Sequence, residues 1–201
     1  SRNPQWGWGH GHQVMHESLS MIPYVYMDAK SAEESQRVYI DQQYDDGLIA
    51  YRHGPRGPQV YPHDGKATTS APFFSWTNWE MYGVSKDKQL LKDAYEAGAK
   101  YIRYMEKERD KDQDGMYEWG PYGIIENVRD GWNVVFQLFS EGEDEGRDIS
   151  GELEALDLTL QMANEMYYLK LMAKELGDAT GEKEWSEKFD RVAKLINKHM
   201  W

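Results

Sequence analysis

The chain contains no cysteine, so disulfides and thiolate metal sites are excluded and the redox compartment is left unassigned. Positive charge is scarce. Lys and Arg number 23 against 35 Asp and Glu, a formal net charge of −12, which argues against nucleic acid or an anionic membrane as partner. No apolar run is long enough to span a bilayer and no signal-peptide pattern is present, so the expectation is a soluble chain of unassigned location. An initiating methionine is missing too. The sequence opens Ser1-Arg2, as expected of a piece of something longer. Size is not lacking: 201 residues suffice to hide about 70 % of the unfolded surface without covalent staples.

Aromatic rings are present in excess. Eight Trp, 14 Tyr and 5 Phe make 13 % of a chain whose mean hydropathy is −0.84. Two readings follow: aromatic filling between helices, or a surface that binds something flat and polyhydroxylated or a flat apolar ring.

Helical periodicity runs almost throughout, and strand alternation is nearly absent. The expected first helix covers about residues 12–26, with Pro23 kinking or ending it. Ser31 is expected to cap a second helix that reaches about Tyr44, where Asp45-Asp46-Gly47 stops it. The third runs from Ser70 to Gly83, and the fourth from Ser85 to about Glu108. The fifth spans about 151–176, with Leu153, Leu156, Leu160, Ala163, Met166 and Tyr167 as its apolar stripe and Gly177 just past its end. Thr180 caps the sixth.

These helices pair by short turns into hairpins over about 10–44, 70–108 and 151–200. The connections between pairs, 45–69 and 109–150, are long. In an up-down arrangement both fall, with the lead-in, at one end, the expected functional face. The fold expected is all-α, a series of αα-hairpins forming a solenoid or part of an α/α toroid.

That end is rich in chemistry. The lead-in carries Trp6, Trp8, His10, His12, His16 and Glu17. The first long connection carries Arg52 and His53. The second carries Trp119, Glu126, Arg129, Asp130 and Trp132. Trp and Tyr stack on sugar faces, Arg and His hydrogen-bond hydroxyls, and a pair of carboxyls supplies general acid and base. This is the composition of a carbohydrate site.

The order of several motifs carries a resemblance. His16-Glu17-Ser18-Leu19-Ser20 sits where a W-D-S-x-F stretch would stand, and Gln43-Tyr44-Asp45-Asp46-Gly47-Leu48-Ile49-Ala50 resembles a Q-x-D-G-L-I-P-H stretch with one residue more. Ser70-Ala71-Pro72-Phe73, Trp79-Glu80-Met81-Tyr82, Arg109 through Met116, Glu126 through Trp132 and Asp157 through Gly177 continue the series. In this order the chain resembles the catalytic domain of glycoside hydrolase family 63 and related trehalase-like, six-hairpin glycosidases, from about Trp8 to Gly177.

The resemblance implies an (α/α)6 toroid of which this chain is about half, the N-terminal half. The missing C-terminal half or another copy of the chain would complete it. It implies hydrolysis, with inversion, of an α-linked glucoside, mannoside or small glycan. Asp130 matches the general acid, and Glu17 a carboxylate that contacts the substrate ring. Trp8, His12, His16, Arg52, His53, Trp119, Glu126 and Trp132 are the accompanying substrate-binding candidates. The general base lies beyond the hairpins present. Three motifs depart from the family pattern: its Trp-Asp pair is His16-Glu17 here, its glutamine is Ala71, and of its acid motif only Glu126 and Asp130 survive.

Each residue also has a plainer reading. Asp130 could be a solvated loop aspartate beside Arg129, and Glu17 a carboxylate favouring a helix N-terminus. His10, His12 and His16 have ligand-like spacing but open an amphipathic helix, which fits hydrogen bonding better than a metal. Asp110, Asp112, Asp114 and Gly115 repeat the first half of a calcium loop, with Glu118 at the ninth position. Pro121 stands where the bidentate glutamate belongs, so calcium competes with a plain Asp-rich turn. Two rivals to the hydrolase remain: a non-catalytic helical module that binds carbohydrate or protein, and an α/α-toroid polysaccharide lyase.

Overall fold

The computed structural model describes residues 12–54, 57–59, 70–118 and 154–200. Among them are six α-helices: α1 (Val14–Tyr24), α2 (Ala29–Asp41), α3 (Phe74–Ser85), α4 (Lys88–Arg109), α5 (Leu156–Leu176) and α6 (Ala179–Leu195), with a π-turn at Ile196–Met200. The fold is all-α and built of helical hairpins, α1–α2, α3–α4 and α5–α6. Among the described residues, no helix is long and apolar enough to cross a membrane.

Side-chain chemistry sets the hairpin turns. Asp28, not Ser31, caps α2: its carboxylate accepts from the Ser31 N–H at 3.1 Å and from the Ser31 hydroxyl at 2.6 Å. Asp87 caps α4 by accepting from Gln89 and Leu90, and Lys86 ahead of it turns the chain at φ 59°. Asp178, not Thr180, caps α6 through the Gly181 N–H at 3.0 Å. Aspartate outcompetes the later hydroxyl because an ionised acceptor makes the stronger bond to the helix N–H groups. Gly177 ends α5 in the left-handed conformation at φ 77°, as its position past the last helical residue suggests. Pro23 lies within the last turn of α1.

The hairpins stack into two layers. In one, α1 lies on α3 and α3 on α5; in the other, α2 lies on α4. Level contacts fix the directions. Trp76 and Tyr82 of α3 meet Tyr168 and Glu175 of α5 in the same order. In the second layer Tyr95, Arg103 and Glu106 of α4 meet Asp178, Glu184 and Lys188 of α6. The first-layer helices therefore run parallel, and the second-layer helices run parallel to one another, opposite in sense. The N-termini of α1, α3 and α5 share one end, and both long connections reach that end.

Between the layers, Tyr39, Phe74, Leu91, Tyr101, Ile102, Met105, Leu158, Met162 and Trp185 form a continuous buried core. The apolar stripe expected for α5 is corrected in part. Ala163 and Met166 are buried as expected, together with Leu158, Met162 and Leu169, whereas Leu156, Leu160 and Tyr167 stay 39 %, 47 % and 36 % exposed. Helix α5 is apolar on two faces, so periodicity alone picks out a stripe that straddles both.

The short strands β1 (His12–Gln13), β2 (Arg52–Gly54) and β3 (Gly57–Gln59) form an antiparallel sheet in that order. At two or three residues each they are too short to show alternation.

Candidate functional site

The end of the molecule that bears the N-termini of α1, α3 and α5 contains a small sheet, a buried polar seam and an acidic loop. The sheet brings distant segments together. His12 pairs with His53 and Gln13 with Arg52, and the Val14 N–H donates to the Tyr51 carbonyl at 3.2 Å. Lead-in and first long connection, about 40 residues apart in sequence, thus meet at one place.

Within that region His53 is fully buried, its ring edge-on to Tyr39 at 4.9 Å and its Nδ1 3.1 Å from Gln42 Oε1. Glu17 is 2 % exposed and accepts from the Ser35 hydroxyl at 2.6 Å. Burial, then the Glu17 charge, hold the Tyr39 phenol well above its ordinary range. His53 and Glu17 are therefore both set into the α1–α2 hairpin. His16 is exposed, with Nδ1 2.6 Å from Gln13 Oε1. Arg52 is half-buried, its guanidinium over the Tyr51 ring at 5.5 Å. Trp8, Trp119, Glu126, Asp130 and Trp132 lie outside the described residues, as does His10; His12 enters by its backbone.

One residue of the seam carries no role in the sequence reading. Glu165, in the middle of α5, is fully buried and accepts from the Ser75 N–H at 2.6 Å and the Trp76 N–H at 3.1 Å. It caps α3 from a neighbouring helix, which explains why α3 begins at Phe74 rather than at Ser70 and why no local side chain caps it. Burial pushes its carboxyl up to about 7 against the pull of those N–H groups. A glutamate in an apolar stretch of helix is the only signal of this role that the sequence offers.

The acidic loop follows α4. Ligand oxygens of Asp110, Asp112 and Asp114 all lie within 4.8 Å of one another, and so do those of Asp112, Glu118 and Glu154. Asp112 accepts from the Asp114 N–H at 3.2 Å and Asp114 from the Met116 N–H at 2.7 Å, so each carboxylate shapes the next bend. Gln113 at φ 63° and Gly115 at φ 93° tighten the loop. Glu118 then pairs in an isolated antiparallel bridge with Glu154, just before α5, and the Ala155 N–H donates to the Tyr117 carbonyl at 2.8 Å.

Glu154 is what sequence spacing missed. It lies 36 positions past Glu118, beyond the second long connection, and supplies the extra carboxylate that Pro121 withholds. Burial, then the charges of Asp114, Glu118, Asp112 and Asp110, push its carboxyl up to about 7. Burial likewise raises Glu118 and Asp110. Among the described residues, Glu154 Oε2 and Asp110 Oδ1 are buried and accept no hydrogen bond. Two overlapping groups of three carboxylates share Asp112, and two of the five residues have buried oxygens without a hydrogen bond, a hard-oxygen donor set that could hold a metal ion.

No protein-family model matches the sequence, and no curated protein matches it either. Among solved structures, the chain is similar to that of an uncharacterized conserved protein from Thermus thermophilus, at 12 % identity and a TM-score of 0.64. The match covers 93 % of this chain and 56 % of that one, so the chain spans a little over half the length of that protein. At that identity the likeness concerns the fold.

Proposed function

We propose that the chain is the acid-bearing half of an α/α-toroid glycoside hydrolase that cleaves an α-linked glucoside, mannoside or small glycan with inversion. The observation that carries the reading is the parallel first layer. Three helices present their N-termini at a single end, where the described ends of both long connections also lie. That is the layout in which residues distant in sequence converge on one mouth. The match to about half of a longer chain of similar fold is compatible with further hairpins, or another copy, completing a ring.

On this reading Asp130 protonates the leaving glycosidic oxygen. A base from the completing hairpins activates water on the opposite face, roughly 6.5–9.5 Å from the acid carboxyl. The aromatic residues stack on the sugar rings and exclude water. Asp110, Asp112, Asp114, Glu118 and Glu154 hold calcium, whose charge offsets their repulsion and ties the end of α4 to the start of α5.

The test is a proton NMR time course with α-linked disaccharides and the longer protein. The expected first product is the inverted anomer, and Asp130→Asn abolishes its formation. Near-normal turnover by Asp130→Asn, or a retained anomer, overturns the assignment. A rise in ultraviolet absorbance on uronic-acid polymers would favour the lyase instead.

A further inference from the structure

Helix α3 divides its surface unusually. Phe74, Ser75, Thr77, Asn78, Met81 and Tyr82 are buried between the layers. The opposite side carries Trp76, Trp79 and Glu80, all half-buried; Trp79 packs against the core, whereas Trp76 lies over α5. A helix face turned away from its core is ordinarily polar, so a ring held there, as Trp76 is, has a reason other than packing into that core.

Trp76 is the best defined of them. Its ring stacks on Tyr168 of α5, with centroids 6.2 Å apart and planes 22° from parallel, and meets Phe73 edge-on at 5.9 Å. Its backbone N–H is fixed by the buried Glu165 carboxylate. Tyr168 in turn faces Glu80, one turn along α3 from Trp76, and that charge, after burial, raises the phenol above its ordinary range. Two stacked rings, one of them a phenol, and a carboxylate thus share this side of the first layer. Flat rings offer C–H faces of a pyranose an apolar surface, while carboxylate and phenol serve the hydroxyls at its edge.

We infer that Trp76, Tyr168 and Glu80 form a sugar-binding platform at the α3–α5 seam. Trp76 stacks on one pyranose ring of the substrate, and Glu80 accepts from that ring's hydroxyls. The inference rests on the glycosidase reading for its ligand class and adds residues which that reading does not use.

The test is isothermal titration of the 201-residue chain with maltose and with an α-linked mannobiose, alongside thermal unfolding. Trp76→Ala is expected to weaken binding by about tenfold, while Trp76→Phe stays within about threefold. Glu80→Gln is expected to weaken binding without moving the unfolding midpoint, which a merely structural contact would not do. Equal affinity in Trp76→Ala and the unmodified chain overturns the platform and leaves the glycosidase reading standing. Absence of binding to the unmodified chain also overturns the platform. The glycosidase reading falls separately, only if the longer protein hydrolyses neither disaccharide.

Discussion

A carboxylate buried beneath the first turn of a neighbouring helix couples stability to pH in a definite direction. Glu165 titrates at about 7 in the folded chain and near 4.5 once unfolded. Between those values the folded state binds the extra proton. The stability Glu165 contributes is therefore complete below about pH 4.5 and is lost as pH rises to about 7, an effect of about 3 kcal/mol. Denaturant titrations from pH 5 to 8 are expected to show this decline, with Glu165→Gln flattening it. An equal slope in the variant removes Glu165 as its source. Gly47 poses a different constraint. It sits at φ 100°, and a Cβ there would meet the Lys100 carbonyl of α4. Gly47→Ala is expected to cost about 3 kcal/mol in the same titration, from backbone strain and overpacking together.

At the scale of elements, the acidic loop is a joint between α4 and α5. Its five carboxylates repel one another until a cation is present, so calcium is expected to raise the thermal midpoint. The gain is about 2.7 kcal/mol at a hundredfold excess over Kd. Glu154→Gln is expected to remove most of that gain while leaving the metal-free midpoint unchanged or higher, because it also removes like-charge repulsion. A midpoint indifferent to calcium in both proteins sinks the joint. This element also shows how far the sequence could be read. Asp110, Asp112, Asp114 and Glu118 are legible because a calcium loop places ligands at alternate positions of one segment. Glu154 is not, because a bridge across the second long connection is a tertiary fact. The same holds for α3, whose cap arrives from α5. Among the described residues, the helices, their pairing into hairpins and the Gly177 stop are local consequences of periodicity and backbone freedom, and they read correctly. The α5 stripe reads only in part: Ala163 and Met166 are buried, but Leu156, Leu160 and Tyr167 face outward, since two apolar faces satisfy the same spacing. Asp28 and Asp178 compete for their caps with the later hydroxyls of Ser31 and Thr180, and only the folded geometry decides between them.

For the whole molecule, the asymmetry between layers is the feature with consequences. The α2, α4 and α6 surfaces carry salt bridges such as Arg37–Asp93, Arg103–Glu184 and Lys188–Glu106, as suits a face in water. The α5 surface beyond its core instead carries Leu156, Leu160 and Tyr167, a stripe at one-turn multiples along the helix. In a ring of hairpins that stripe is where the next hairpin, or a second copy, would pack. Burying it would add roughly 25 cal/mol for each Å² of apolar surface covered. The 201-residue chain by itself is therefore expected to bind a hydrophobic dye or to self-associate in sedimentation velocity. The double variant Leu156→Glu with Leu160→Glu is expected to abolish either behaviour while leaving the unfolding midpoint unchanged, because neither side chain belongs to the buried core. In the longer protein the same pair of substitutions should instead lower the midpoint by several degrees, the mark of a face that has become an interior. A chain that stays monomeric and dye-free with both leucines in place would mean that the stripe is already covered, and the half-ring reading would fail with it.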